Sequence, residues 1–327
     1  RVGQVGGGAP RPGPRWAGAW RSARVRAMTT QTILITGSNA GFGKRMALTL
    51  ATRGHTVYAG MRDLAGRNAA VAEELRAFRG EAGGSIVPVE LDPGSDASVE
   101  AAGQAVLAAT GGRIDAVINN AGYGAIGLGE AYTPAQVAEM MNINVIGPQR
   151  VNRAVLPAMR GRGAGLIVHV SSAVGRLVIP AMGVYCASKF ALEALAEAYH
   201  YELAPLGIDA VIVEPGAYPT GFLDGSKGPG DPGRAAGYGP MSGLAEQMTG
   251  GLRYMLSQGS APDPQGVADA IVGLVEAPAG TRPLRMIVDP SGGAGVKAIN
   301  ATCAQVQAGM LTAMGMGNLA RGQGSAA

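Results

Sequence analysis

The segment that most restricts the fold is a glycine loop set between a short β-rich run and an amphipathic helix. Residues 32–36 lead directly into Thr36-Gly37-Ser38-Asn39-Ala40-Gly41-Phe42-Gly43. Glycines in such a loop let the backbone approach a pyrophosphate, and the free N–H groups and dipole of the following helix favour an anion there. A plain tight turn would use the same glycines for conformational freedom alone, so the loop has to be weighed with its surroundings. A Walker-type phosphate loop fails at two positions: Ser38 stands where its first glycine belongs, and Arg45 stands where Ser or Thr should follow Gly43-Lys44. A dinucleotide fits this loop better than ATP.

The rest of the chain repeats the strand and helix rhythm. β-rich runs at 32–36, 55–59, 85–91, 116–118, 166–170, 209–213 and 284–288 alternate with helical stretches at 43–53, 66–79, 96–109, 134–160, 184–204 and 264–276. Such alternation makes a parallel sheet covered by helices on both faces. Right-handed crossovers then give an α/β fold, a Rossmann-type doubly wound parallel sheet of seven strands in a single domain. Gly and Pro crowd into 221–262, an irregular stretch expected to act as a substrate lid. Beyond 288 the sequence is Gly- and Met-rich with weak helical character. The chain divides into a leader, 1–28, and a domain, 29–327.

The chain of 327 residues carries 27 Lys and Arg against 23 Asp and Glu, a net charge of +4. Six arginines and no acid lie in 1–27, and without them the balance is −2. The basic surplus therefore belongs to a Gly/Pro/Arg-rich leader and not to a folded face, which argues against nucleic acid as a partner. Three readings of the leader stay open: a stretch upstream of a true start at Met28, a transit-type segment, or a disordered arm. No run of about 18 uninterrupted apolar residues marks a membrane span. Cys186 and Cys303, with three histidines, supply neither a disulfide framework nor a metal site, and a reducing cytoplasm is the expectation.

The spacing Thr-Gly-x-x-x-Gly-x-Gly resembles the short-chain dehydrogenase/reductase family, and five further segments strengthen the resemblance. These are Asn119-Asn120-Ala121-Gly122 after the fourth strand, Asn144 within Asn142-Ile143-Asn144-Val145, Ser171-Ser172 after the fifth, Tyr185-Cys186-Ala187-Ser188-Lys189, and Pro215-Gly216 with Thr220 after the sixth. The run Val184 to Glu193 is similar to the 17β-hydroxysteroid and retinol dehydrogenase branch. The resemblance implies hydride transfer between a nicotinamide dinucleotide and the carbonyl or secondary alcohol of a small molecule. It assigns Asn144, Ser172, Tyr185 and Lys189 to catalysis, with Asn144 holding a water behind Lys189. It assigns Gly37, Ser38, Asn39, Gly41, Phe42, Gly43, Asp92, Asn120, Ala121, Gly122, Pro215, Gly216 and Thr220 to the cofactor, which Tyr185 and Lys189 also touch. It further implies a homodimer or homotetramer.

Part of this chemistry follows from the residues themselves. Tyr185 and Lys189, four apart on a helix, share a face. A free phenol has a pKa of about 10, and a nearby ammonium favours its phenolate, which would make Tyr185 a usable general acid or base. The Ser172 hydroxyl can donate to a carbonyl oxygen as charge develops there. At the end of the second strand the sequence reads Ala59-Gly60-Met61-Arg62-Asp63. Met61 occupies the place of a ribose-binding acid, and Arg62 can offer a planar guanidinium to a 2′-phosphate, so NADP(H) is expected. NAD stays open through Asp63, which could pair with Arg62 or itself reach the ribose. His169 and Cys186 are expected to pack in the interior. The stretches 123–128 and 173–182 are mainly apolar, with Arg176 their only charge, which suits an apolar substrate. Two alternatives remain: a 3-oxoacyl thioester reductase, and a catalytically silent NADP-sensing protein.

Overall fold

A computed structural model describes residues 30–319. The leader, with Trp16 and Trp20, lies outside them. Seven strands, β1 (Thr32–Thr36), β2 (Thr56–Met61), β3 (Ser85–Glu90), β4 (Ala116–Asn119), β5 (Gly165–Val170), β6 (Ile208–Pro215) and β7 (Arg285–Val288), form one sheet. All are parallel, in the order β3-β2-β1-β4-β5-β6-β7. The chain winds outward from β1 to β3, returns past β1 to β4, and winds the other way. That reversal opens a crevice at the carboxyl ends of β1 and β4, where an open α/β sheet binds its ligand. The doubly wound sheet read from the sequence is the one that forms.

The strands are apolar throughout because helices cover both faces. On one face Ile33, Ile35, Val57 and Ala59 meet Met46 and Leu50 of helix Gly41–Thr52 and Val267 and Ile271 of helix Gln265–Glu276. On the other, Leu34, Val117 and Ile167 meet Val99 and Val106 of helix Asp96–Ala109, Val151 and Val155 of helix Gly147–Arg162, and Tyr199 of helix Gly183–Leu203.

Four departures from the sequence reading bear on the site. The second strand runs on to Met61 and not only to 59. The single helix expected at 134–160 is two, Pro134–Met141 and Gly147–Arg162, joined by a π turn at Asn142–Ile146 that carries Asn144 inward. Such bulges are frequent at functional sites. Residues 221–262 are more ordered than expected: they include helix Leu244–Ser257, whose Ala245 and Met248 pack on an apolar cluster around Tyr185. Finally, helix Gly293–Ala313 follows β7, and its helicity is faint in the sequence because only Val296 and Leu311 are buried.

β5 turns His169 fully inward, 0% exposed. Its Nε2 meets Asn152 Nδ2 at 3.1 Å, and Asn152 Oδ1 accepts from Asn119 Nδ2 at 2.9 Å. Burial, helped by the nearby positive charge of Lys189, lowers the His169 pKa to about 3. Below an unfolded pKa of 6.5 the unfolded chain therefore takes up a proton that the native state refuses. Stability should be flat from this source above that pH and fall on acidification by about 1.4 kcal/mol per pH unit. Urea unfolding of His169→Gln beside the parent at several pH values tests this, since the variant should lose that slope.

Candidate active site

The glycine loop is shaped by close approach. Gly37 has φ +70°, and a Cβ there would lie 2.9 Å from Ala121 Cα. A Cβ on Gly43 would lie 2.1 Å from the Gly37 carbonyl oxygen and 2.7 Å from Asn120 Nδ2. Helix Gly41–Thr52 starts beside this loop with no side-chain cap and no acidic residue in its first turn. Its first N–H groups are therefore left for an anion. Gly41 faces the Thr220 side chain, at 4.0 Å from its own Cβ position, and Asn39 is exposed at the mouth.

Several residues expected to touch a cofactor also hold the loop that would do so. Ser38 is 0% exposed, its Oγ donating to the Ile35 carbonyl at 3.0 Å and its N–H to the Gly60 carbonyl at 3.0 Å. Asn120 Nδ2 donates to the Thr36 and Gly37 carbonyls at 3.0 and 3.1 Å, and the N–H groups of Asn120 and Ala121 both donate to Thr36 Oγ1 at 3.0 Å. The Phe42 ring packs edge-on to Tyr218. Pro215 ends β6, and Gly216 gives room to Asp289, whose carboxyl carbon lies 2.3 Å from where a Cβ would stand. The sequence reading passed over Asp289, and only the fold brings it here.

At the end of β2, Met61 is 1% exposed and packs into the core, so it is not a slot open to a ribose. Asp63 does not pair with Arg62. With φ 55°, it accepts from the Arg67 N–H at 3.0 Å and so closes its own turn. Glu90 of β3, also unremarked in the sequence, accepts from the N–H groups of Asp63 and Leu64 at 2.7 and 2.8 Å. Arg62 is left exposed, and its guanidinium has no hydrogen-bond or ion-pair partner among the described residues. Asp92 accepts from the Gly94 N–H at 2.9 Å and sits at the carboxyl end of β3.

Tyr185, Ser172, Lys189 and Asn144 come together beyond β4 and β5. The Ser172 hydroxyl lies close enough to the Tyr185 phenol to favour its ionised form. Lys189 Nζ donates to the Val170 carbonyl at 2.9 Å and lies 5.8 Å from the Tyr185 ring centre. Asn144 Nδ2 donates to the Tyr123 carbonyl and to Ser188 Oγ, both at 3.0 Å, and its Oδ1 accepts from the Tyr123 N–H at 3.1 Å. Gly122 lies between them: a Cβ there would stand 3.1 Å from Asn144 Oδ1 and 3.9 Å from Lys189 Nζ.

The electrostatics differ from the simple Tyr and Lys argument. Burial raises the Tyr185 phenol well above its ordinary value, and the nearby Ser172 hydroxyl offsets only part of that. Burial also lowers Lys189 to about 8, with Glu193 one turn further along working the other way. Desolvation thus outweighs the ammonium, and Tyr185 stays protonated at neutral pH. The mouth is apolar: Phe222 lies on the Tyr185 ring at 5.2 Å, with Tyr123, Tyr132, Met182 and Val184 nearby. Cys186 is buried in the same cluster. Among the described residues no helix is long and apolar enough to cross a membrane, and no group of three or more His, Cys, Asp or Glu could hold a metal.

A switch-point crevice with an uncapped helix over a glycine loop defines a dinucleotide-binding α/β protein. Comparison with known proteins narrows this. The sequence profile described as short chain dehydrogenase matches residues 31–227, and the chain belongs to that family. It is 38% identical over 197 residues to a 3-ketodihydrosphingosine reductase of Bacteroides thetaiotaomicron, covering 60% of this chain and 67% of that one. It is 37% identical over 200 residues to human 17-beta-hydroxysteroid dehydrogenase type 1, covering 60% of each. The chain thus aligns with roughly two thirds or less of the length of these curated relatives. A short-chain dehydrogenase from Streptomyces avermitilis superposes with a TM-score of 0.68 at 31% identity, over 87% of this chain and 96% of that one. One from Sphingobium yanoikuyae in complex with NADPH gives 0.63 at 25% identity, over 86% and 94%.

Proposed function

We propose that this chain is an NADP(H)-linked oxidoreductase that interconverts a ketone or aldehyde and its alcohol on an apolar small molecule. The observation that carries the reading is the placing of Lys189 and Asn144 beside the buried Tyr185 phenol, with Ser172 close enough to favour its ionised form. The cradle fits the cofactor. The uncapped helix at Gly41 would take the pyrophosphate, Thr220, which faces Gly41, would lie against the bound dinucleotide, and Arg62 would meet a 2′-phosphate. When bound, the nicotinamide supplies or accepts the hydride. Ser172 donates a hydrogen bond to the carbonyl oxygen, Tyr185 delivers the proton to that oxygen, and Lys189 keeps a positive charge close by. Asn144 fixes the Tyr123 backbone that borders the pocket and is the candidate to pass protons beyond Lys189.

The apolar mouth around Phe222 favours a hydrophobic substrate, in keeping with relatives named for a 17-beta-hydroxysteroid, retinol and 3-ketodihydrosphingosine. A 3-oxoacyl reductase serving an acidic carrier would want unpaired basic residues on the lid. Here Lys227 pairs with Glu139, Arg234 with Glu130 and Asp231, and Arg253 with Asp224. A silent sensor would have no use for the Ser172 and Tyr185 contact. The unpaired thiols of Cys186 and Cys303 accord with a reducing cytoplasm.

A panel of apolar carbonyls and alcohols assayed by absorbance with each cofactor tests the activity, and Arg62 tests the choice. The parent should favour NADPH, and Arg62→Ala should erase the preference by weakening NADPH about 10- to 150-fold in kcat/KM. The buried Met61 makes Met61→Asp a poor probe, because a carboxylate there would first have to leave the core. An NADH preference in the parent would refute the assignment.

We also propose pairing through the long helices. Gly183, Ala187, Phe190 and Ala194 make an exposed stripe of small and apolar residues on helix Gly183–Leu203, and Ile146 is exposed nearby. A closed symmetric dimer or tetramer is the expected form. Light scattering should give its mass at micromolar concentration, and a monomer mass would count against it.

A further inference from the structure

Behind Ser172 lies a buried polar cluster that the proposed reaction does not use. Ser172 opens the short turn Ala173–Gly175, and its Oγ accepts from the Val174 N–H at 3.4 Å. Gly175 presses this turn onto Glu193: a Cβ there would stand 2.3 Å from Glu193 Oε1 and 2.7 Å from Ser171 Oγ. Ser171 Oγ donates to the same Glu193 oxygen at 2.9 Å. The next residue, Arg176, donates from Nε to Asn300 Oδ1 at 2.8 Å and lies 3.8 Å from Glu193 Oε2. Asn300 Nδ2 donates in turn to Glu214 Oε2 at 2.6 Å. Glu214 is fully buried and stands immediately before Pro215-Gly216. Arg285 completes the cluster, 3.3 Å from Glu193 and 3.4 Å from Glu214, with a further hydrogen bond to Glu197 at 2.6 Å.

We propose that Asn300 is a positioning residue that sets the Ser172 turn against the Pro215-Gly216 segment through Arg176 and Glu214. Its amide is the one group here with an acceptor for the arginine and a donor for the carboxylate, so it fixes the direction of both. Without it, Arg176 is free to close on Glu193 or swing to Glu214, and either movement pulls the turn that carries Ser172. Packing alone does not explain the attachment, because the helix bearing Asn300 buries only Val296 and Leu311. Position 300 lies beyond residue 227, the last matched by the family profile.

The inference rests on Ser172 acting at the reacting carbonyl, and the test keeps the two apart. In Asn300→Ala and in Arg176→Met, kcat on the best carbonyl of the panel should fall about ten-fold while NADPH affinity and KM stay within about two-fold. The double variant should be no worse than either single one, because both cut the same link. Amide hydrogen exchange across 172–178, measured without cofactor or substrate, should quicken by about ten-fold in each variant. Lys297→Ala, exposed on the same helix, should match the parent. If Asn300→Ala fails to fold, Arg176→Met carries the same measurements. Unchanged exchange, unchanged kcat, or losses that add in the double variant would overturn the role of Asn300. An active Ser172→Ala would instead overturn the reading of the site.

Discussion

Tyr185→Phe is expected to lose turnover by about 10²- to 10⁴-fold while NADPH affinity stays within a few-fold, the span that general acid catalysis commonly covers. The substitution removes only the hydroxyl. The ring keeps its contact with Phe222 and its place in the apolar cluster, so the pocket should not collapse. Because burial holds the phenol protonated, the loss should be plain in the reduction direction at neutral pH. Steady-state kinetics together with a cofactor titration separate the two effects. A variant that keeps more than about a tenth of parental kcat would show that Tyr185 is not the proton donor.

Gly43→Ala is expected to abolish the stabilisation that NADPH gives the parent. Its Cβ would fall 2.1 Å from the Gly37 carbonyl oxygen, which is backbone and cannot rotate aside. Either the loop or the start of helix Gly41–Thr52 must shift, and both belong to the proposed cradle for the pyrophosphate. A ligand at about 100 times its Kd adds about 2.7 kcal/mol of stability to a folded protein. Thermal melting with and without NADPH should show that gain in the parent and little of it in the variant. An equal gain in both would mean that the glycine loop does not hold the cofactor.

The parts of this molecule legible in its sequence were those where one local rule had to be obeyed. The strand and helix rhythm survived because parallel strands buried on both faces read as short apolar runs, as at Ile33-Leu34-Ile35. That Tyr185 and Lys189 share a face was legible from helical spacing, and their role came from the family resemblance of the motifs around them. What escaped was set by tertiary contact. Nothing local says that Ser38 points inward, that Asn120 braces the glycine loop, or that Met61 ends β2 in the core. The π turn that carries Asn144 looks like continuous helix in the sequence, because its residues suit either geometry. The link from Arg176 through Asn300 to Glu214 joins residues far apart in the chain, and no spacing rule connects them. Helix Leu244–Ser257 was masked by the Gly- and Pro-rich run before it.

The most direct test of the proposed chemistry is to follow the hydride itself. NADPH carrying deuterium at the transferable position of its nicotinamide is incubated with the protein and an apolar ketone, and the alcohol is examined by mass spectrometry. The proposed function requires one deuterium on the carbinol carbon of the product, with none transferred by Tyr185→Phe over the same interval. Cofactor that stays unoxidised across the whole carbonyl panel, or an alcohol that forms without the label, would contradict it.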